Sequence, residues 1–374
     1  MVFVKTQICS QKTETVCLDS VKFFGACIVA FVWHYQHFQP ANGSPFGSVF
    51  AYSYQFGWLM VELFFMLSGF GMMVGYGSKI LAHRISFPQY MGKRLGKIYP
   101  LFFVTLVLVT ILEMICIEKT GVTFVYPNFD LYHLFLNVTL LHDGIFVTDW
   151  SFNSPSWCIS ICFILYVVFF SVFYSSKKTK EAVAKFAGLG ILGAVILISG
   201  WNYPVLNALV ARGLLCFSIG VILAFLYQHE KLFNTKLVGY LCFIVLLGCY
   251  GLYRIKPSFA GDMHMLFILF ISPMIILCTL FVPWLNKLLS LKVFTYLGSL
   301  SMQIYLFHFP VQCAIYNSDI CWNLGLNYSS REVWILYLTA TILVCILYKQ
   351  LLEKFFTKLY NKMLGILIRQ DKLA

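Results

Sequence analysis

The chain has 374 residues, of which 60% are hydrophobic and only 11% charged, with a mean hydropathy of +0.80. Soluble globular proteins carry about 25% charged residues, so a chain this poor in charge cannot cover its own surface and must take lipid as its main solvent. The net charge of +12 then belongs to loops on one side of a membrane, where Lys and Arg collect, and not to a nucleic-acid surface.

Taken from the start, MVFVKTQICSQKTETVCLDS is polar and leads into a full-length apolar run. That is not the pattern of a cleavable signal peptide. A crossing helix needs roughly 20 apolar residues. Such runs lie near 18–38, 54–76, 98–117, 155–174, 186–201, 207–227, 237–253, 263–283, 294–315 and 332–352. They predict an all-α polytopic membrane protein of about ten transmembrane helices, with both termini cytoplasmic. Residues 131–147 are only moderately apolar and carry His133, Asn137, His142 and Asp143; they predict a short helix on, or dipping into, the outer surface. Residues 1–352 form one membrane-embedded domain, and 353–374 an amphipathic basic tail along the cytoplasmic surface. This topology puts 22 of the 27 Lys and Arg on the cytoplasmic side, among them Lys5, Lys12 and Lys22. An eleventh span at 131–147 would send Lys177, Lys178 and Lys180 outside and spoil the asymmetry. The thirteen cysteines sit mostly in apolar runs, with no CxxC pair and no metal-like spacing to His. They predict neither a disulfide framework nor a metal, Cys321 standing apart in an expected loop.

Ionisable residues inside spans are costly and mark function. His34, Glu62, Arg212 and His308 are four such residues. At 1.5 Å per residue, His34 lies roughly 18 Å above Lys22, and His308 roughly 21 Å above Phe294. Glu62 falls about 12 Å below the outer entry of its span, and Arg212 about two turns below the outer surface. All four share the outer half of the bilayer. Plainer readings are an interhelical hydrogen bond for either His and a structural Glu62–Arg212 ion pair. Gly298, Ser301, Tyr305 and His308 follow i, i+3, i+7, i+10 spacing, which predicts one polar helix face turned to a cavity or another helix. Gly71 and Gly75 predict close helix packing, and Trp33 and Trp58 read as interface anchors.

Several of these segments resemble the acyltransferase 3 family, multi-pass membrane enzymes that commonly modify surface polysaccharides. LDSVKFFGACIVAFVWHYQHF is similar to the family's opening helix, and VELFFMLSGF (61–70) to its acidic-L-F-F-x-x-S-G-F signature, with Glu62 at the acidic position. KRLGKIYP (93–100) resembles the basic segment ending in Tyr-Pro, and NSPSW (153–157) with Ser160 the N-x-P-x-W-x-x-S entry to a span. ARGLLCFSIG and LGSLSMQIYLFHFP resemble the Arg-Gly helix and the YLxHxP helix near the end. The matches run in order over about 18–310. Two positions depart. The family's basic residue usually stands eleven steps before the His, about 20° off one helix face, whereas Lys22 stands twelve steps away, about 120° off. A one-residue π-bulge would restore that register. A Glu common after the Trp is Cys162 here.

The resemblance implies an O-acyltransferase of the inner (plasma) membrane that moves an acyl group, most often acetyl from acetyl-CoA, to a saccharide hydroxyl. Such a hydroxyl is a poor nucleophile and needs a base, for which His is well suited. On this reading His34 is the base or a transient acyl carrier, Glu62 orients it, and His308 is a rival base. Arg212, Asn153, Trp157, Ser160, Tyr305 and Ser68 bind the acceptor or the developing oxyanion. Lys22, Lys93, Arg94, Lys97 and Tyr99 form a mouth for coenzyme A, although positive-inside topology explains each basic residue alone. The partners are a saccharide acceptor and membrane lipids. The rival readings are a flippase or carrier for a sugar or lipid-linked glycan, and a non-catalytic assembly subunit. Missing internal repeats and missing Gly/Pro-broken helix pairs speak against the carrier.

Overall fold

The computed structural model describes residues 15–146, 149–255 and 263–370. Lys5, Cys9, Lys12, Lys256 and Lys372 lie outside the described residues, as does most of the polar start. The described residues form helices and no strands. In chain order these are α1 (Cys17–Phe38), α2 (Gly47–Leu81), α3 (Phe87–Thr120), the short α4 (Leu131–Val138), α5 (Ser154–Tyr174), α6 (Thr179–Ser199), α7 (Ala208–Gln228) and α8 (Thr235–Ile255). Then follow α9 (Met263–Phe281), α10 (Pro283–Leu289), α11 (Lys292–Gly298), α12 (Ser301–Trp322) and α13 (Arg331–Leu347), which runs on through Tyr348–Leu352 into α14 (Glu353–Gln370). Among the described residues, nine helices are long and apolar enough to cross a membrane.

The helix α12 is not among those nine. It is 22 residues long, but Gln303, His308, Gln312, Asn317 and Asp319 dilute its apolar character. The span expected at 294–315 is therefore displaced: a break at Ser299–Leu300 separates α11 from α12. That break also splits the expected polar face, because Gly298 leaves the His308 helix and packs on the backbone of Asp19. Cys321 sits on the last turn of α12 and not in a loop. Lys97 lies within electrostatic reach of Lys22 and of Glu353 at the start of α14, and Tyr99 lies near Tyr360, so Lys22, Lys93, Lys97 and α14 share one face of the bundle, called here the basic face.

Local chemistry sets the helix ends. Ser86 and Gln89 form a reciprocal capping box at the start of α3, and Gly121 ends it in the left-handed conformation. Asn207 caps α7 by accepting from the amides of Leu209 and Val210. Close packing uses other glycines than expected. A Cβ on Gly71 or Gly75 would meet nothing within 4 Å, whereas one on Gly69 would strike the Phe217 carbonyl and one on Gly220 the Met66 carbonyl. The backbones of α2 and α7 thus touch through Gly69 and Gly220, one carbonyl against each glycine. The Gly71/Gly75 expectation fails because the contacting face is that of Gly69, and at 100° per residue Gly71 and Gly75 lie about 200° and 240° round the helix from it. In contrast, α8 buries Gly239 alone.

The segment after α3 is re-entrant. Val138, at the end of α4, accepts a hydrogen bond from the Tyr99 hydroxyl at 2.9 Å, and Tyr99 lies about 30 Å along α3 from Thr120. The following turn is pinned from both sides: Ser160 donates to the Leu140 and Asp143 carbonyls, and Asn207 to the Gly144 carbonyl. Burial pushes the Asp143 carboxyl up to about 8 and holds His142 down to about 4. Both are therefore neutral near pH 7.

Two outcomes follow from this packing. Gly220→Leu lowers the thermal unfolding midpoint in lipid nanodiscs sharply, in line with overpacking costs of ~1–3 kcal/mol or more, while Gly71→Leu changes it little; equal effects at both positions would refute the contact. Asp143 keeps its proton when folded and loses it near pH 4 when unfolded, so its contribution to stability falls as pH rises from about 4 to about 8. The stabilising effect of Asp143→Asn should grow across that window and then level off, and a pH-independent difference would count against the buried neutral carboxyl.

Candidate active site

The site begins with a change of helix pitch. Residues Ile28–Trp33 of α1 are π-helical and His34–Phe38 are 3-10 helical. A π segment absorbs an extra residue, so the twelve steps from Lys22 to His34 span the rotation of about eleven α-helical steps. Lys22 thus regains the register that counting at 100° per residue denied it. In a 3-10 turn residues i and i+3 eclipse, and the rings of His34 and His37 accordingly stack with centroids 4.8 Å apart. The main-chain carbonyls along this switch accept side-chain donors. Tyr337 donates to Ala30, Trp334 to Phe31, Gln36 to Trp33 and Gln312 to His34.

On α12, Pro310 lacks an N–H and leaves the Leu306 carbonyl without its helical donor. Asn153, fully buried, donates to that carbonyl and to Thr105, both at 3.3 Å. Two residues after Pro310, Gln312, also fully buried, bridges the two histidines of α1: its amide nitrogen donates to the His34 carbonyl at 2.8 Å, and its oxygen accepts from His37 Nδ1 at 3.1 Å.

The proton positions follow from these partners. His308 Nδ1 lies 2.7 Å from the Tyr305 carbonyl, which can only accept. Nδ1 of His308 therefore bears the hydrogen, and in the neutral ring Nε2 bears the lone pair. His34 Nδ1 lies 2.7 Å from that Nε2 and must donate to it. The lone pair of His34 is thereby left on Nε2, which has no hydrogen-bond partner among the described residues. His34 is half-buried while His308 is fully buried. In such an arrangement His34 can accept a proton from a bound hydroxyl, and His308 steadies the resulting imidazolium.

Glu62 has other partners. Its buried carboxylate takes Arg212 Nε at 2.5 Å, His264 Nε2 at 3.1 Å and Cys216 at 3.3 Å. The expectation that Glu62 orients His34 is corrected accordingly: both carboxylate oxygens are engaged in a separate cluster. Arg212 lies between the rings of Trp58 (5.3 Å) and Trp157 (4.7 Å), so Trp58 is a wall of this cluster. The terminal nitrogens of Arg212 carry no hydrogen bond among the described residues. Cys158 donates to the Tyr305 hydroxyl at 3.1 Å, and Tyr305 donates to the Pro155 carbonyl at 2.6 Å. Ser68 pairs with the Tyr166 hydroxyl at 3.2 Å, and Cys162 bonds to both. Ser160 spends its hydroxyl on the re-entrant turn, which makes it a brace for that turn and not a free ligand group.

On the basic face, Lys97 lies within electrostatic reach of Lys22, Arg94, Asp19 and Glu353. Lys22 pairs with Asp19 at 2.8 Å. Arg94 donates to the Tyr76 hydroxyl at 2.9 Å and covers its ring. Lys93 is exposed. Tyr99 is engaged by Val138 and packs near Tyr360 of α14. The equal-depth estimate brings the four intramembrane residues together only as two pairs. Sequence reasoning missed His37, Gln312, Tyr126 and His264. His37 and Gln312 stand three and four residues after the two histidines, a spacing that could have exposed them; nothing near His264 signalled its role.

The sequence profile of an acyltransferase domain family, Acyl_transf_3, matches residues 15–349. A protein of Acidianus two-tailed virus named "Putative acetyltransferase ORF330" is similar at 24% identity over 262 residues, covering 67% of this chain and 72% of that protein. No solved structure matches. The Glu62 cluster predicts an asymmetric mutational cycle. Arg212→Met strands a buried carboxylate and costs about 3–5 kcal/mol, while Glu62→Gln with Arg212→Met recovers most of that loss. Additive single and double effects on the unfolding midpoint would remove the coupling.

Proposed function

Because the chain belongs to the acyltransferase 3 family, we propose that it is an O-acyltransferase that carries acetyl from acetyl-CoA to a hydroxyl of a cell-surface or lipid-linked saccharide. The observation that carries this reading is the free lone pair on His34 Nε2, directed there by the Tyr305–His308–His34 chain of hydrogen bonds. The acceptor hydroxyl gives its proton to Nε2 as its oxygen attacks the acyl carbon. His308 Nε2 accepts from Nδ1–H throughout, so the charge that His34 gains is stabilised without moving a second proton. His308 is then the orienting partner of the base and not its rival. The proton passes on to the departing thiolate, which leaves as the thiol.

The free Arg212 nitrogens can donate to the carbonyl oxygen as it gains charge, and Trp58 and Trp157 hold the guanidinium flat. The donor enters from the basic face in this proposal, which sets that face in the cytoplasm of a cell bounded by its inner (plasma) membrane. Lys22, Lys93, Arg94 and Lys97 meet its phosphates there. From Arg94 a line of polar side chains leads inward through Tyr166, Ser68, Cys162, Cys158 and Tyr305 to His308, which suits passage of a polar thioester. Tyr99 and Asn153 act on this route as braces, one for the re-entrant turn and one for α12.

Mass spectrometry of surface glycans from cells with wild-type protein, His34→Ala and no gene tests the proposal. An acetyl-sized ester increment is expected with wild type alone. With a measurable acyl transfer assay, His34→Ala lowers kcat by about 100- to 10,000-fold. Retained ester in His34→Ala would sink the base assignment, and unmodified glycan accumulating on one side of the membrane in the null strain would favour a flippase.

A further inference from the structure

Beside the pair of histidines that the chemistry uses lies a third, His37, which the proposed mechanism leaves idle. Neither of its ring nitrogens is available to a substrate. Nδ1 lies 3.1 Å from Gln312 Oε1, and Nε2 lies 3.3 Å from the Tyr126 hydroxyl. The direction of these bonds is fixed by chemistry. The His34 carbonyl accepts from Gln312 Nε2, so the amide presents oxygen to His37, and His37 Nδ1 must donate to it. Nε2 is then the acceptor, and the Tyr126 hydroxyl donates. Phe309 closes the remaining side with its ring edge-on at 5.8 Å.

His37 is thus tied to α12 through Gln312 and to the loop after α3 through Tyr126, while its ring lies stacked on His34. Contacts from α12 and from the loop after α3 converge on the single 3-10 turn that carries the reactive imidazole. Gln312 is shared by both histidines and couples the ring of one to the backbone of the other. We infer that His37 is a positioning residue of the acyl-transfer site: with Gln312 and Tyr126 it holds the 3-10 turn so that His34 Nδ1 stays against His308 and Nε2 stays open to substrate. This rests on the acyl-transfer reading for its purpose but not for its geometry. A displacement of about 1 Å at a catalytic group can cost about 100-fold in rate, which is the range over which such a brace acts.

Two readouts on the full-length protein in lipid bilayers separate the inference from the reading beneath it. Histidine labelled with 15N reports tautomers by solid-state NMR, the His34 signal being assigned by its loss in His34→Ala. Wild type should show His34 in the Nδ1–H form alone. His37→Phe, which keeps a flat ring but neither hydrogen bond, should mix the two tautomers. Kinetically, His37→Phe should lower kcat about 10- to 100-fold with KM for donor and acceptor within twofold. His37→Asn, whose amide can still donate to Gln312, should recover most of the rate. A His34 signal and a kcat both unchanged in His37→Phe would overturn the inference, as would a loss confined to KM. Should His37→Phe fail to fold, Gln312→Met removes the same bridge and must mix the tautomers, or the inference falls. If wild type transfers no acyl group to any acceptor, the acyl-transfer reading fails while the NMR result still decides the positioning role.

Discussion

The Tyr305 carbonyl has no hydrogen to give, and the imidazole nitrogen 2.7 Å from it must therefore donate. From that one constraint the protonation of His308, then of His34, follows in order, until a lone pair is left where a substrate can reach it. A buried carbonyl inside a helix normally has its own backbone donor. Here Pro310 withholds its donor from the Leu306 carbonyl, and Asn153 supplies one in its place.

The second cluster solves a different problem. Glu62 and Arg212 lie inside spans, where neither charge would be tolerated alone. The carboxylate is completed by His264 and Cys216, and the guanidinium by two indole faces. α2 and α7, which carry the pair, also meet backbone to backbone at Gly69 and Gly220. The close approach and the ion pair lie on the same two helices, and each limits how far the other can slip.

Much of this was readable from residues alone. Hydropathy located the spans because lipid permits few alternatives, and charge asymmetry correctly denied residues 131–147 a full crossing. The family's ordered segments pointed to His34, Glu62, Arg212 and His308. What counting could not supply were the faces. Periodicity at 100° per residue assumes an unbroken α-helix, yet α1, α2 and α9 each contain a π segment, another joins α13 to α14, and α12 starts after a break. Those departures gave Lys22 its register and stacked His37 on His34, while the choice of Gly69 over Gly71 and Gly75 depended on which face α7 meets. Glu62 was assigned to the wrong partner because depth was estimated and azimuth was not. His264 comes from a helix that supplies a ligand across the bundle, a contact with no local trace in sequence.

The helix α8 fully buries only Gly239, against the end of α9, and packs along α9 with half-buried residues on one side. With one packed side and the others turned outward, α8 answers in its tilt to bilayer thickness as well as to α9. α9, on which it leans, begins with the turn that carries His264. Lipid mechanics are therefore only two helices removed from the carboxylate that steadies Arg212. The outermost element of the bundle is a boundary between the fluid around the protein and the charge balance inside it.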